Sequence, residues 1–464
     1  MNFTSVAKPS TRRGVGVPGS PIILIGWNEN VAWGMTALGA DQADQFFLTT
    51  DPERPNQYQF NGEWRKMKVV NEIIKVKDGK DIRLSIRESH LGPVVNEIAH
   101  DVRPHETVAL KRVPMAETDR DTIQGALAMM RAKDVNEFAQ ALEGWRIPSA
   151  NVLFGDKKGN IGYWAVGAIP VRSRYALEDG NATHDGSDSK YDWQGMLPHQ
   201  LLPHVINPGQ GFLYSGNHRP VESFYPLSIG ISTGSMGDSD RSWRLRERLR
   251  AKEVFSPSDV LDIHYDCTNP ARREIVHIAL HMRDVLNIDL PEDVEEALQM
   301  LEPWYHAGAS SDLSHPGAEV ATLFPTMFRI LQTPLAELYG GGNSGLTYFA
   351  KTVQQRIEKD PKAPIDPLEQ EYVLGLISQA WARAKQMYRG EPETWNRQAR
   401  KEVTQRTLEY QSTLDGFSSF DTEQDIHLPE LTCVDGGTIK SQAAQSYSSG
   451  SPCMTWIPPA PSSP

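Results

Sequence analysis

The stretch from Pro21 to Asp44 constrains this chain more than any other. It reads Pro-Ile-Ile-Leu-Ile-Gly-Trp-Asn-Glu-Asn-Val-Ala-Trp-Gly-Met-Thr-Ala-Leu-Gly-Ala-Asp-Gln-Ala-Asp. Ile22 to Ile25 is an unbroken apolar run bounded by Pro and Gly, the pattern of a strand buried on both faces. Asn28-Glu29-Asn30 carries turn chemistry, because short amide side chains bond their own backbone. Val31 to Thr36 reads as a second, Gly-interrupted strand, and the pair predicts a hairpin deep in a sheet. Gly39, Asp41 and Asp44 follow, small and acidic residues where a strand leaves the core. Two readings are open: a core hairpin with a solvated loop, or one wall of an active-site cleft.

Length and charge narrow the classes. A chain of 464 residues holds one large domain or two to three ordinary ones. Its formal net charge of −12 disfavours nucleic acid and anionic membrane as partners. No apolar run reaches membrane-spanning length, and residues 1–19 lack the apolar segment of a signal peptide. As written the chain is expected in the cytoplasm, or in the periplasm or secreted if a signal peptide lies upstream. Three cysteines, Cys267, Cys433 and Cys453, imply no complete disulfide framework. Cys267 is expected to be a small buried residue.

The periodicity changes along the chain. Residues 1–19 read as irregular, and strands dominate from Pro21 to about His105. Asn61-Gly62 and Asp78-Gly79 mark two hairpins, because both dipeptides suit turns with positive φ. Asp121 to Met130 and Val135 to Leu142 are amphipathic helices. Asn151 to Phe154 and Ile161 to Ala165 are strands around a Gly-containing loop. This β, α, β order predicts an α+β layered domain. From Arg241 the pattern is helical, with Ser256-Pro257 a strong helix start and helices over 270–286, 291–301, 319–331, 368–388 and 394–414. The expected parts are therefore 1–235, sheet-rich; 236–415, helical; and 416–464, a late strand and a Ser/Pro/Gly-rich tail.

The common catalytic signatures are missing. There is no His-Glu-x-x-His, no Cys-x-x-Cys, no Gly-x-Gly-x-x-Gly after a strand and no Gly-x-Ser-x-Gly. Asp185-Gly186-Ser187-Asp188-Ser189 begins like a calcium loop but lacks the later Glu. His90, beside the predicted sheet, reads as structural.

Five ordered stretches nevertheless resemble the penicillin acylase family of N-terminal-nucleophile amidohydrolases. They are Ile25 to Ala37, Gly159-Asn160-Ile161-Gly162-Tyr163, Tyr191 to Pro198, Asn207 to Gly211 with Asn217 and Pro220, and Asp240-Arg241. Leu431 to Gln442 resembles a late strand of the same sheet. The resemblance covers roughly residues 14–266 well and the helical half loosely.

The resemblance implies an αββα sandwich with a large helical insertion. It also implies cleavage of an acyl–amide bond in a small substrate, a β-lactam side chain or an N-acyl homoserine lactone. The family's nucleophile is a Ser freed at an N-terminus by autocatalytic cleavage. Its α-amine serves as base, with an ordinary pKa of about 7.7–8.0 that lies near neutral pH. Ala37, by its backbone N–H, and Asn217, by its side-chain amide, match the oxyanion donors, and Arg241 matches the active-site Arg. Without the resemblance, Arg241 reads equally as the partner of Asp238 or Asp240 at a helix start. Asp41, Ala43 (by its carbonyl) and Asp44 match ligands of one structural calcium ion, hard oxygen donors that suit it. The family's later carboxylate ligand is not found, since Ser228-Ile229 stand there. The sequence also departs at its start. The family's Ser and its strand lie upstream of the hairpin, and a small subunit from the same precursor is expected as partner. The chain is thus expected to be truncated at both ends, with an open sheet edge where upstream strands would pair. The alternative reading is a catalytically inactive fragment or acyl-binding module.

Overall fold

The computed structural model describes residues 2–7, 10–17, 19, 21–77, 79–96, 106–113, 122–176, 182–221, 225–227, 229, 239–311, 315–331, 339, 342–388, 390–395 and 454–456. By its contacts the chain divides into two compact units, Met1–Leu213 with Arg219–Gly234, and Tyr214–His218 with Ser235–Pro464.

The first unit is built on a seven-stranded antiparallel sheet. Its strands are β1 (Asn2–Ala7), β2 (Ser10–Gly16), β3 (Ile23–Trp27), β4 (Val31–Ala37), β12 (Ala150–Asp156), β13 (Ile161–Val166) and β15 (His204–Ile206), in that spatial order. The predicted hairpin is β3–β4, with Gly26 opposite Trp33. Asn28 sets its turn: the side-chain oxygen accepts from the N–H groups of Asn30 and Val31 at 2.7 and 2.8 Å. Its amide donates to the Ala132 carbonyl at 2.9 Å, tying the turn to the helical layer. Burial on both faces belongs to β12, buried at every residue, rather than to β3, where Leu24 and Ile25 are only partly covered.

Residues 1–19 depart from the sequence expectation. Thr11-Arg12-Arg13-Gly14-Val15 has no clean alternation, yet β1 pairs with β2 and β2 with β3. The Arg12 Nε donates to the Met130 carbonyl at 2.8 Å. Pairing with a strand already in place overrides weak local preference. β2 thus pairs along β3, and β1 stands at the end of the seven-strand order.

Two short helices cover this sheet, α1 (Thr122–Met129) and α2 (Val135–Ala141). Asp134 caps α2 by accepting from Asn136 and Glu137. Phe138 is fully buried, its ring 4.7 Å from Phe154 and 5.8 Å from Trp33. Around it lie Val31, Trp33, Met129, Val135 and Val152. Truncating a buried Phe of this kind costs about 3–5 kcal/mol.

Smaller sheets complete the unit. β5 (Ala43–Phe47) pairs antiparallel with β11 (Val108–Arg112) and parallel with β14 (Thr183–Asp185). β6 (Gln57–Phe60) and β7 (Glu63–Lys66) close on Asn61-Gly62, both at positive φ, as the dipeptide predicts. β8 (Lys68–Ile74) pairs with β9 (Ile82–Ser89), and β9 with β10 (Gly92–Pro93). That ladder ends at Ile74 opposite Ile82, so the loop is longer than Asp78-Gly79 alone would give.

Among the described residues the α-helices of the second unit are α3 (Asp240–Arg250), α4 (Pro257–His264), α5 (Pro270–Asp284), α6 (Glu292–His306), α7 (Pro316–Ala321), α8 (Phe324–Ile330), α9 (Gly342–Lys359) and α10 (Pro367–Met387). Ser256 forms a capping box with Asp259, as its sequence predicts. The single helix expected over 319–331 is two, because Pro325 lacks an N–H and its ring opposes the carbonyl four residues back. Phe324, Phe328, Phe349, Trp304 and Leu376 centre the core. Cys267 is half-buried and disulfide-bonded, not the small buried residue expected. The helix expected beyond 395 and the late strand at 431–442 lie outside the described residues. Within the tail, Met454–Trp456 is a short strand.

Candidate active site

Ala37 ends β4 and is exposed, while Thr36 and Leu38 on either side are buried. Leu38 donates to the Ser149 carbonyl at 3.3 Å, so the next pair back, Ala37 with Ala150, is one that does not exchange ladder bonds. The Ala37 peptide is held from the side by Asn151, whose amide donates to the Ala37 carbonyl at 3.1 Å and to the Thr36 hydroxyl at 3.2 Å. The Asn151 oxygen in turn accepts from the Tyr163 hydroxyl at 2.7 Å. Burial pushes the Tyr163 phenol far above its ordinary value, so it stays a protonated donor at every working pH. Beyond Ala37 the chain turns at Gly39, whose φ of 71° suits glycine. The turn is clamped by Ser149, which accepts from Ala40 through its hydroxyl at 3.1 Å and donates from its backbone to Gln42 at 3.2 Å.

Asn217 follows β16 (Leu213–Ser215), its backbone left-handed at a φ of 60°. The Arg241 Nη2 donates to its side-chain oxygen at 2.9 Å and to the Gly216 carbonyl at 3.2 Å. A carboxamide has one oxygen and one NH₂. Bonding the oxygen to a guanidinium fixes the amide's orientation and leaves the NH₂ pointing the other way. Arg241 sits in the first turn of α3, capped by Ser239, whose hydroxyl also donates to Gly216 at 3.3 Å. A Cβ on Gly216 would lie 3.0 Å from the Ser242 nitrogen, so a larger residue would push the loop or the helix start back by a few tenths of an ångström. Asp240 accepts from the Arg241 N–H at 3.0 Å and from the Asn269 amide. Arg241 and Asn217, singled out separately in the sequence, are thus brought together. Ala37 belongs to the first unit and this pair to the second.

Asp41 and Asp44 also meet, but around a side chain that the sequence reading did not single out. On β5 the alternation turns Asp44 and Phe46 inward. There Arg172 grips Asp44, its Nε 3.1 and 3.0 Å from the two carboxylate oxygens and its Nη2 3.1 Å from Oδ1. The same Nη2 lies 2.9 Å from Asp41 Oδ2. Trp193 Nε1 donates to Asp44 Oδ2. The Arg172 side chain is 4% exposed and that of Asp44 1%. Calcium needs six to eight oxygen ligands with lone pairs free. Asp44 has given both oxygens to N–H donors, and the described residues contain no group of three or more His, Cys, Asp or Glu set to hold a metal. The donor set in this arrangement does not fit a calcium ion.

Other residues marked in the sequence have structural partners. His90 bonds the Tyr58 hydroxyl at 2.9 Å and packs on Phe60, and burial lowers its pKa. Asp185 accepts from Ser187 and closes a turn. Asn151 and Tyr163 did not appear as site residues in the sequence, though a polar residue inside the apolar run Asn151-Val152-Leu153-Phe154 was the available signal. Arg172 had none: its role depends on segments brought together only by folding.

The sequence model of the penicillin amidase family matches residues 6–444. A penicillin acylase 2 proenzyme from Pseudomonas sp. (strain SE83) is 29% identical over 291 residues, 62% of this chain and 35% of that protein. The acyl-homoserine lactone acylase QuiP of Pseudomonas fluorescens Pf-5 is 29% identical over 233 residues, 50% of this chain and 28% of that protein. Penicillin G acylase of Escherichia coli is 24% identical over 411 residues, 81% of this chain and 46% of that protein. The chain therefore spans about a third to a half of the length of these curated relatives. The structure of penicillin G acylase from Alcaligenes faecalis superposes with a TM-score of 0.67 at 21% identity, over 85% of this chain and 74% of that one. Together they establish the α+β fold of the N-terminal-nucleophile hydrolase type, and the chain belongs to the penicillin amidase family.

Proposed function

We propose that this chain forms the oxyanion-binding part of an amidohydrolase that cleaves the acyl–amide bond of a small substrate. The substrate class is a β-lactam side chain or an N-acyl homoserine lactone, in keeping with the names of the relatives. The attacking group would be an N-terminal Ser contributed by sequence outside these 464 residues, with a small subunit from the same precursor as partner. Its hydroxyl adds to the amide carbon while its α-amine takes the proton. The carbonyl oxygen becomes an oxyanion, for which the resemblance to the family gives the Ala37 N–H and the Asn217 NH₂ as donors. The C–N bond then breaks, the amine leaves with a proton, and water releases the acid from the acyl-enzyme. A neutral donor pair stabilises the charge that develops without a counter-ion that must be displaced.

The observation that carries this reading is the 2.9 Å bond from Arg241 to the Asn217 oxygen. It orients a neutral donor before any substrate arrives, which is the condition for oxyanion stabilisation. The test is release of free amine from N-acyl homoserine lactones and penicillin G by the full-length gene product. Turnover that disappears in the Asn217→Ala variant supports the proposal. Absence of turnover in a folded product with an intact N-terminal Ser overturns it, and saturable acyl binding by that product establishes the binding module instead.

A further inference from the structure

We propose that Arg172 is a built-in cation that takes the place of a calcium ion between Asp41 and Asp44. On this proposal the corner after β4 needs no metal. The inference concerns stability alone and is independent of the reaction.

The carboxylates need a positive partner. Asp41 and Asp44 are buried, and two unpaired carboxylates side by side in a poorly solvated corner would repel each other and lose hydration. A divalent cation is one solution to that problem. A guanidinium is another, because its planar fork matches a carboxylate and it is always charged. Here Nε and Nη2 donate to both oxygens of Asp44, while Asp41 Oδ2 lies 2.9 Å from Nη2 as an ion pair without hydrogen-bond geometry.

Arg172 reaches this position through the backbone rather than by a chance rotamer. Val171 donates to Gly195 at 2.9 Å, Gln194 to Val171 at 2.8 Å and Leu197 to Ile169 at 2.8 Å. These bonds zip the 169–171 segment to the 194–197 segment. The residues just beyond the paired positions, Arg172 and Trp193, both arrive at Asp44. On the neighbouring strand Lys111 stands opposite Asp44 in register, and its ammonium is paired with Asp192 over the Trp193 ring. The corner therefore holds two cations against three carboxylates, Asp41, Asp44 and Asp192.

Guanidinium and calcium exclude one another at this spot. A calcium ion lies 2.3–2.6 Å from its oxygens. A cation that close to Asp44 Oδ1 and Oδ2 would face the Arg172 nitrogens across the same two atoms, with like charges in a site shut off from water. Binding would require expulsion of a side chain that is 4% exposed.

The test is thermal unfolding of the purified chain with added calcium and with a chelator, for wild type, Arg172→Ala and Arg172→Lys. Wild type is expected to unfold at one temperature in both conditions. Arg172→Ala should fall by roughly 5–10 °C, because it leaves buried charge uncompensated. Calcium should then restore part of that loss, since removal of the fork frees oxygens for the ion. Arg172→Lys keeps the charge without the fork, and should fall less and respond less to calcium. Terbium gives a second readout that needs no unfolding. Bound between Asp41 and Asp44 it would lie beside the Trp193 indole and be excited through it. Sensitised emission should be absent in wild type, present in Arg172→Ala and lost again on adding Trp193→Phe. Stabilisation of wild type by calcium, or wild-type emission that Trp193→Phe removes, overturns the proposal. So does a folded Arg172→Ala that calcium leaves unchanged. If Arg172→Ala does not fold, the wild-type calcium and terbium titrations decide the matter alone.

Discussion

The two candidate oxyanion donors are held in different ways. Ala37 is a main-chain donor at the end of a strand, and its peptide is fixed by the sheet around it: the Leu38–Ser149 bond, the Asn151 amide and the Tyr163 hydroxyl behind that. Asn217 is a side-chain donor on a loop, and its orientation depends on the guanidinium that starts the next helix. A main-chain donor cannot be mutated away and is protected by redundancy. A side-chain donor has one amide and a few partners, so single substitutions reach it.

The largest expected effect follows from that asymmetry. In the active full-length product, Asn217→Ala should lower kcat about 10²–10³-fold with little change in KM, because the amide is used only once charge develops. A loss confined to KM would mean that Asn217 binds substrate and not the transition state. Next comes Arg241→Ala, expected to cost kcat roughly tenfold to a hundredfold by freeing the Asn217 amide to rotate. If Arg241 acts through Asn217, the double variant should be no slower than Asn217→Ala alone. Additive losses in the cycle would give Arg241 a separate role at the substrate.

On the Ala37 side, Tyr163→Phe should be felt in stability more than in rate. It leaves the buried Asn151 oxygen without its donor, at a cost of about 1–3 kcal/mol measured by denaturant unfolding. The accompanying fall in kcat should stay within a few-fold, because the ladder still holds the strand end. A collapse of kcat with unchanged stability would show that the main-chain donor is less redundant than its surroundings suggest.

The smallest effect is on pH. Glu247 lies on α3, the helix that carries Arg241, and bonds Arg273 at 2.7 Å and Arg244 at 2.8 Å. Burial pushes its carboxyl up, but the two arginines together outweigh this and hold it below the ordinary 4.5. A lowered native pKa means a contribution complete above 4.5 and lost as pH falls through the native value. Melting curves below that pH should therefore show a shallower acid decline for Glu247→Gln than for wild type. An unchanged acid limb would remove this anchor from the account of the Asn217 side.

Much of the architecture was legible because it is local. Asn28-Glu29-Asn30 shows the hairpin turn, Asn61-Gly62 the next one, and Ser256-Pro257 a helix start, since each depends on dihedral preference or on a side chain bonding backbone a few residues away. The motif order carried the family and pointed to Ala37, Asn217 and Arg241. Residues 2–16 were misread because their strands form against β3 rather than by their own preference.

The sequence by itself determined the hairpin, the change from strand to helix, the candidate donors and the acidic pair after β4. Tertiary structure alone decided who meets them. Asn151 and Tyr163 come to the Ala37 peptide from strands more than a hundred residues later, and Arg172 comes to Asp44 from 128 residues away. The reason is physical. A turn or a cap is fixed by dihedral preferences and neighbours along the chain, whereas burial of a charge is settled by whichever segment the sheet brings alongside. At this corner that segment brings an arginine, and the two carboxylates that read as a metal anchor become a guanidinium's partners.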